Sequence, residues 1–232
     1  MALSLSSTPV LCADLLPLEW ESGFFGLRTA RVNFSASAGP LTEAQLQAFD
    51  RIQAKVNAAD DSHLDVLQAQ GFRLVDGEVN LSLPLTQNYV DAGLTAATEL
   101  DIPPLRSMAD AVFQYSRFRA PWYTPGASAR FYSRWVENAV KGTFDDICLV
   151  LREGGALRGF VTLRQVNDND ARIGLLAGRG VGDALMQAAC RWSAERGLTR
   201  LWVATQPGNR AALNCYLRSG AGIENVAYWL YR

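Results

Sequence analysis

The sequence predicts a mixed α+β protein of two unequal lobes. From Leu94 onward the hydrophobic pattern switches between a two-residue and a 3.6-residue period, in the order strand, two helices, three strands, helix, strand, helix, strand. A polar, turn-forming stretch, Gln87 to Gly93, interrupts the pattern and sets a boundary between residues 1–90 and 91–232. The chain has 232 residues, 49% of them hydrophobic and 19% charged, which is enough apolar side chain for a sizeable core and excludes intrinsic disorder.

The elements follow in order. After a stretch mixing aromatics with glycines, Leu18 to Gly26, the segment Thr29 to Phe34 reads as a strand. From Leu41 to Ala58 the apolar positions Leu46, Phe49, Ile52 and Val56 follow helical spacing, with Thr42 as N-cap. Leu64 to Gln70 reads as a short helix ended by Gly71, and Phe72 to Leu85 as strand, split near Asp76-Gly77. In the second lobe Leu94 to Leu100 is a strand, and Asp101 caps a helix whose first turn holds Pro103 and Pro104, where proline is tolerated. A loop, Arg119 to Gly126, leads to a helix from Ser128 to Lys141, stopped at Gly142. Strands Ile147 to Arg152, Leu157 to Gln165 and Ala171 to Ala177 follow. Val181 to Arg196 is the clearest helix, with Val181, Ala184, Leu185, Ala188, Ala189 and Trp192 on one apolar stripe and Gly197 beyond its end. Strand Arg200 to Thr205, helix Asn209 to Arg218 and an extended stretch from Glu224 to Tyr231 complete the chain.

Charge and rare residues narrow the function. Twenty-two basic against 23 acidic residues give a net charge of −1, which disfavours binding to a nucleic-acid polymer. A single histidine, His63, excludes a multi-histidine metal centre, and no metal is expected. The four cysteines, Cys12, Cys148, Cys190 and Cys215, form no CxxC pair and read as small buried hydrophobes in a reducing compartment. The start, Met1 to Val10, lacks the basic residues of a signal peptide, and no apolar run reaches the ~20 residues of a membrane helix. A cytoplasmic protein is expected, without membrane partners.

The chemistry concentrates at Ile173-Gly-Leu-Leu-Ala-Gly-Arg-Gly-Val-Gly182, which joins a strand directly to the best helix. Gly178, Gly180 and Gly182 would let a ligand approach the backbone, and a helix N-terminus offers unpaired N–H groups to an anion such as a pyrophosphate. The spacing is not GxGxxG, the strands before it do not alternate with helices, and there is no GxxxxGK[ST]. Neither a dinucleotide fold nor a nucleoside-triphosphate loop is indicated.

Arg179-Gly-Val-Gly-Asp-Ala-Leu-Met186 resembles the Q/R-x-x-G-x-G/A signature of the GNAT acetyltransferase superfamily, in which such a loop cradles coenzyme A. The signature's first Q/R position falls on Ala177, and Arg179 is the guanidinium nearby. About 30 residues on, Asn209-Arg-Ala-Ala-Leu-Asn-Cys-Tyr-Leu-Arg-Ser-Gly-Ala221 resembles the family's N-x-x-A-x-x-x-Y-x-x-x-G segment. The segments Ser116 to Tyr123, Trp135 to Val140, Asp170 to Gly180 and Ala227 to Arg232 are similar to those of a nucleotide-sugar N-acetyltransferase branch over nearly the whole length. The resemblance implies a GNAT-fold C-terminal domain and a smaller, incomplete GNAT-like N-terminal domain. It further implies acetyl-CoA as co-substrate, dTDP-4-amino-4,6-dideoxy-D-galactose as acceptor, a role in enterobacterial common antigen synthesis, and a homodimer.

Residue roles follow from the resemblance. Leu175, Leu176, Ala177, Gly178, Arg179, Gly180, Val181 and Gly182, with Met186 and Asn209, would bind acetyl-CoA. Gly174 would supply a strand bulge and the N–H at or near Leu175 an oxyanion donor, worth on the order of 3 kcal/mol. Tyr216 would be the general acid for the departing thiolate. For the acceptor, Arg119 and Trp122 combine a guanidinium fork with an aromatic face. Asp76 and Glu78, placed on a turn at the lobe junction, offer carboxylates, and Glu78 is assigned to the acceptor site; a water chain is an equal alternative as base. His63, beside Asp60 and Asp61, is expected to be solvated and uninvolved. Two other readings stand beside this one: a GNAT enzyme acting on another small amine or a protein N-terminus, and a non-catalytic acetyl-CoA-binding module.

Overall fold

The computed structural model describes residues 9–86, 88–113 and 116–232. Contacts divide the chain into two compact units, Met1–Glu78 with Val226–Arg232, and Val79–Asn225. The division falls within a strand, twelve residues before the boundary expected from the polar stretch, whose Gln87 lies outside the described residues.

The first unit contains β1 (Asp14–Pro17), α1 (Glu19–Phe25), β2 (Thr29–Asn33), α2 (Glu43–Gln47), β3 (Arg51–Asn57), α3 (Asp61–Ala69) and the start of β4 (Arg73–Pro84). Strand β1 pairs antiparallel with β2, β2 parallel with β3, and β3 antiparallel with residues 227–231 of the last strand, β10 (Gly222–Tyr231). Leu11, Val32, Leu46, Ile52, Val56, Leu67, Phe72 and Leu230 form its core.

Several expectations fail in this unit. The helix expected from Leu41 to Ala58 is real only as α2, where Thr42 and Gln45 close a capping box. Ile52 and Val56, four apart, satisfy both periods; Ala54, buried between them, marks the two-residue period of a strand held by ladders on both sides. The split near Asp76-Gly77 does not occur either. Val75, Val79, Leu81 and Leu83 are all buried, so the alternation of β4 runs through Gly77 unbroken, and Glu78 sits in a strand instead of a turn. Helix α1 lies in the stretch mixing aromatics with glycines, for which no element is expected; it is closed by Gly26, at φ 68°, in a left-handed cap. Cys12 is exposed, unlike the other three cysteines.

The second unit follows the expected order closely. Helices α4 (Ile102–Val112) and α5 (Ala127–Val140) pack together, then come β6 (Ile147–Glu153), β7 (Ala156–Gln165), β8 (Asp170–Gly178), α6 (Gly182–Ala194), β9 (Arg200–Thr205) and α7 (Arg210–Arg218). The expected strand at 94–100 shrinks to β5 (Thr95–Ala96) and a 3-10 turn, Glu99–Asp101. Asp101 does not cap α4 by its side chain; it closes a capping box on Thr98 and pairs with Arg152. In this unit the strands lie in the order β4-β9-β8-β7-β6-β5. Leu105, Val136, Phe160, Leu175 and Ala177 form a core between the α4–α5 pair and the sheet. Helix α6 packs along β7, β8 and β9, burying Leu185, Met186, Ala188, Ala189, Cys190, Trp192 and Ser193. Each large apolar side chain so removed from water contributes roughly 1.5–3 kcal/mol. No described helix is long and apolar enough to cross a membrane.

Candidate active site

Strand β8 is where the sheet opens. Its first three residues pair in parallel with β9, Asp170 to Arg200, Ala171 to Leu201 and Arg172 to Trp202. Beyond Arg172 the two strands share no further rungs among the described residues, while Val203, Ala204 and Thr205 of β9 continue to pair with Leu81, Asn80 and Val79 of β4. Residues 173–178 therefore keep a ladder on the β7 side alone.

On that β7 side the register slips. Val161 lies opposite Leu176 and Leu163 opposite Ile173, so Gly174 and Leu175 together face Thr162. This is the bulge expected at Gly174. Glycine is obligatory there: a Cβ would lie 2.2 Å from Asp145 Oδ2 and 2.7 Å from Thr162 Oγ1. The bulge bears on which N–H at or near Leu175 is open to a ligand. The Leu175 N–H already donates to Thr162 Oγ1 at 2.8 Å. Successive N–H groups of an extended strand point to opposite edges, so the next amide, that of Leu176, is directed to the edge that β9 has left. Leu176 is half-buried, whereas the side chains of Leu175 and Ala177 are buried in the core.

The loop into α6 divides its glycines between packing and access. Gly159 and Gly178 face each other across β7 and β8, and a Cβ on either would lie under 3 Å from Val181 Cγ2. Gly182 abuts Cys215, where a Cβ would come 2.7 Å from Sγ. The missing Cβ atoms of these glycines admit Val181 onto the sheet and let α6 approach α7. Gly180, at φ 77°, has no neighbour within 4 Å of its absent Cβ and is open. Val181 is the N-cap and gives no side-chain cap. The first helical bond runs from Leu185 N–H to Val181 O, so the amides of Gly182, Asp183 and Ala184 precede the ladder. Arg179 is exposed and has no partner among the described residues. An anion at this end would meet several free amides and one unpaired guanidinium. Met186, by contrast, is 2% exposed and turned into the core.

Helix α7 presents the second motif. Asn209 caps it as expected, its Oδ1 accepting from the Ala212 N–H at 3.2 Å. Tyr216, next to the Cys215 that touches Gly182, is buried, and that burial raises its phenol well above the ordinary range, with the neighbouring Cys215 adding to the effect. The hydroxyl thus stays protonated. No hydrogen-bond partner of its side chain is found among the described residues.

The acceptor candidates are more dispersed. Arg119 and Trp122 lie on the loop between α4 and α5, Arg119 exposed and Trp122 half-buried, in a turn where Arg119 O accepts from the Trp122 and Tyr123 amides at 3.0 Å each. Phe118 and Tyr123 pin this loop as buried packing residues, and Phe118 lies 4.2 Å from Phe131 between ring centroids. Glu78 is engaged within the first unit: it accepts from Lys55 Nζ at 2.6 Å and from Trp229 Nε1 at 3.1 Å. His63 pairs with Asp60 at 2.6 Å, a short-range contact within its own helix end.

The sequence reading missed Asp145, Trp135, Arg164 and Thr162. Asp145 is fully buried, accepts from Trp135 Nε1 at 2.7 Å and from Arg164 Nη1 at 2.9 Å, and lies directly over Gly174. A threonine inside the apolar run Phe160-Val-Thr-Leu163 was the one local signal of this arrangement.

Comparison with known proteins agrees with this geometry. The model of the acetyltransferase (GNAT) family matches residues 111–221. A dTDP-fucosamine acetyltransferase from Escherichia coli O6:H1 (strain CFT073) is 55% identical over 221 residues, covering 95% of this chain and 98% of its own. Among solved structures, a GCN5-related N-acetyltransferase from Sphaerobacter thermophilus superposes with a TM-score of 0.60 at 17% identity, covering 95% of this chain and 75% of its own. A tandem GNAT protein from the clavulanic acid biosynthesis pathway gives 0.57 at 15% identity, with 88% and 74% covered.

Proposed function

The chain belongs to the GNAT acetyltransferase family, and from that premise we propose that it moves the acetyl group of acetyl-CoA to the 4-amino group of dTDP-4-amino-4,6-dideoxy-D-galactose, in enterobacterial common antigen synthesis. The observation carrying the acceptor is the 55% identity to a dTDP-fucosamine acetyltransferase across 95% of this chain. The reading takes the protein as a cytoplasmic homodimer, which sedimentation of the purified protein checks.

The second unit supplies the parts that the transfer needs. The uncapped start of α6, open Gly180 and unpaired Arg179 suit the pyrophosphate of coenzyme A. The acetyl thioester then runs along the open edge of β8, where the Leu176 N–H donates to the carbonyl oxygen. The neutral sugar amine attacks the carbonyl carbon, a C–N bond forms, and the charge gathering on oxygen meets that amide. As the C–S bond breaks, the thiolate takes the proton of Tyr216, whose raised pKa keeps it a donor across the working range. The ammonium proton of the new amide leaves to water, and the tyrosinate recovers its proton from solvent. Arg119 and Trp122 are the acceptor-loop residues suited to a diphosphate and a thymine ring.

Purified protein incubated with acetyl-CoA and this sugar nucleotide should release one thiol per acetylated sugar. Thiol release with another amine, and none with this one, overturns the acceptor assignment. Because Tyr216 titrates above the ordinary phenol value of about 10, turnover should rise as the acceptor amine deprotonates and show no Tyr216-dependent fall below that pH.

A further inference from the structure

We propose that Thr162 is a positioning residue for acetyl transfer: by accepting the Leu175 N–H across the bulge, its hydroxyl turns the Leu176 amide toward the thioester. The inference deepens the acetyl-transfer reading and rests on it, but not on the identity of the acceptor.

Three observations meet at this point. Thr162 is fully buried in the middle of β7, and its Oγ1 accepts the Leu175 N–H at 2.8 Å. Opposite it, β8 carries one residue more than β7, so the regular two-residue alternation of N–H groups is reset at this place. Beneath it, the Asp145 carboxylate, held by Trp135 and Arg164, fills the volume a side chain at residue 174 would occupy. The bulge is thus fastened from below by a buried carboxylate and from the side by a single hydroxyl.

The fastening has a directional consequence. A bulge leaves one residue unpaired and the ladder locally disrupted, so the direction of the amides beside it is not fixed by the ladder alone. With the Thr162 acceptor in place, the Leu175 N–H is committed to β7 and the Leu176 N–H to the edge where β9 has departed. Without it, the buried Leu175 amide loses its Thr162 partner, and turning toward another acceptor would rotate the same peptide units that aim Leu176. The expected loss therefore falls on the step in which negative charge develops on the carbonyl oxygen, and not on the grip of α6 on coenzyme A.

The test compares two substitutions that rank oppositely under positioning and under packing. Thr162→Val keeps the volume and removes the acceptor; Thr162→Ser keeps the acceptor and removes a methyl. Positioning predicts that Thr162→Val lowers kcat at least ten-fold while KM for acetyl-CoA stays within about two-fold, and that Thr162→Ser stays within about three-fold of wild type. A packing role predicts the reverse order, and that result overturns the proposal, as does a Thr162→Val enzyme with wild-type kcat. Should the valine variant fail to fold, Thr162→Ser alone decides: a ten-fold loss of kcat in the serine variant refutes a role carried by the hydroxyl, and near-wild-type kcat supports it. Free-thiol release is measured with the sugar nucleotide and, in parallel, with water as acceptor. A wild type that releases thiol no faster with the sugar than with water alone would remove the acceptor assignment and leave the Thr162 ranking readable from the hydrolysis rate.

Discussion

The two halves of β8 are built from one continuous strand and serve different ends. Residues 171 and 172 are paired on both sides, to β7 and to β9, and Ala171 is fully buried. Residues 173–178 are paired on one side, bulged at Gly174 and Leu175, and followed by a glycine loop whose helix start is uncapped. The closed half spends its backbone polar groups on the sheet, and its side chains on the core. The open half withholds some of both. A strand edge without partners costs stability where it is withdrawn from water and nothing else satisfies it, and under the proposed reading a ligand would complete the hydrogen bonding of the open half. Substitutions in the two halves should accordingly separate turnover from stability.

Gly174→Ala should have the largest effect. Its methyl would overlap the Asp145 carboxylate, and the bulge must shift to relieve it. Removing one oxyanion donor costs enzymes about 10²–10³ in kcat, and steady-state kinetics of the variant should show a loss of that order. A variant with kcat near wild type would mean that the amide beside the bulge does not meet the transition state. Next comes Tyr216→Phe. It leaves the ring in its buried place and removes the proton donor, so kcat should fall about ten-fold or more with little change in the affinity for acetyl-CoA. Unchanged turnover would sink the assignment of the general acid.

What the sequence disclosed follows the same division between local and assembled features. The glycine loop, the stripe of α6, the Asn209 cap and the bulge at Gly174 are all readable because each depends on neighbours within a turn or two. The elements of the second unit from α5 onward consequently appear within a few residues of their expected limits. The first unit resisted because its signal was double: Arg51-Ile-Gln-Ala-Lys-Val-Asn57 alternates polar and apolar, yet Ile52 and Val56 with Leu46 and Phe49 also fit a helical period. The membership of β3 in the sheet is decided by β2 and β10, far away in sequence. The hydroxyl–carboxylate support of the bulge was equally hidden. Asp145 and Thr162 reach Gly174 across the register of β6, β7 and β8, and no spacing within one segment encodes that meeting. The strand position of Glu78, expected on a turn, was hidden for the same reason: its partners Lys55 and Trp229 are 23 and 151 residues away.

Arg179→Ala sharpens the comparison at the loop beyond the open half. The guanidinium is exposed and unpaired among the described residues, so its removal should leave folding untouched. A charge contact made equally in ground and transition states changes KM and not kcat; KM for acetyl-CoA should rise by roughly three- to ten-fold, equivalent to about 1 kcal/mol. A fall in kcat at constant KM would place Arg179 at the reacting thioester and not at the pyrophosphate.

Leu201→Ala should have the smallest effect on turnover and a plain effect on stability. Leu201 is 1% exposed and pairs with Ala171 in the closed half, one rung before the strands part. Truncating a leucine at such a position costs about 2–5 kcal/mol, depending on how far the surroundings relax. Denaturant unfolding should show this loss, and kcat per folded molecule should stay within about two-fold of wild type, because the rungs at Asp170 and Arg172 still fix where β8 and β9 diverge. If instead turnover fell in step with stability, the two halves would not be mechanically separate. The divergence of the strands would then depend on core packing at the last rungs, and the geometry around Leu176 would be a property of the whole sheet and not of its bulge.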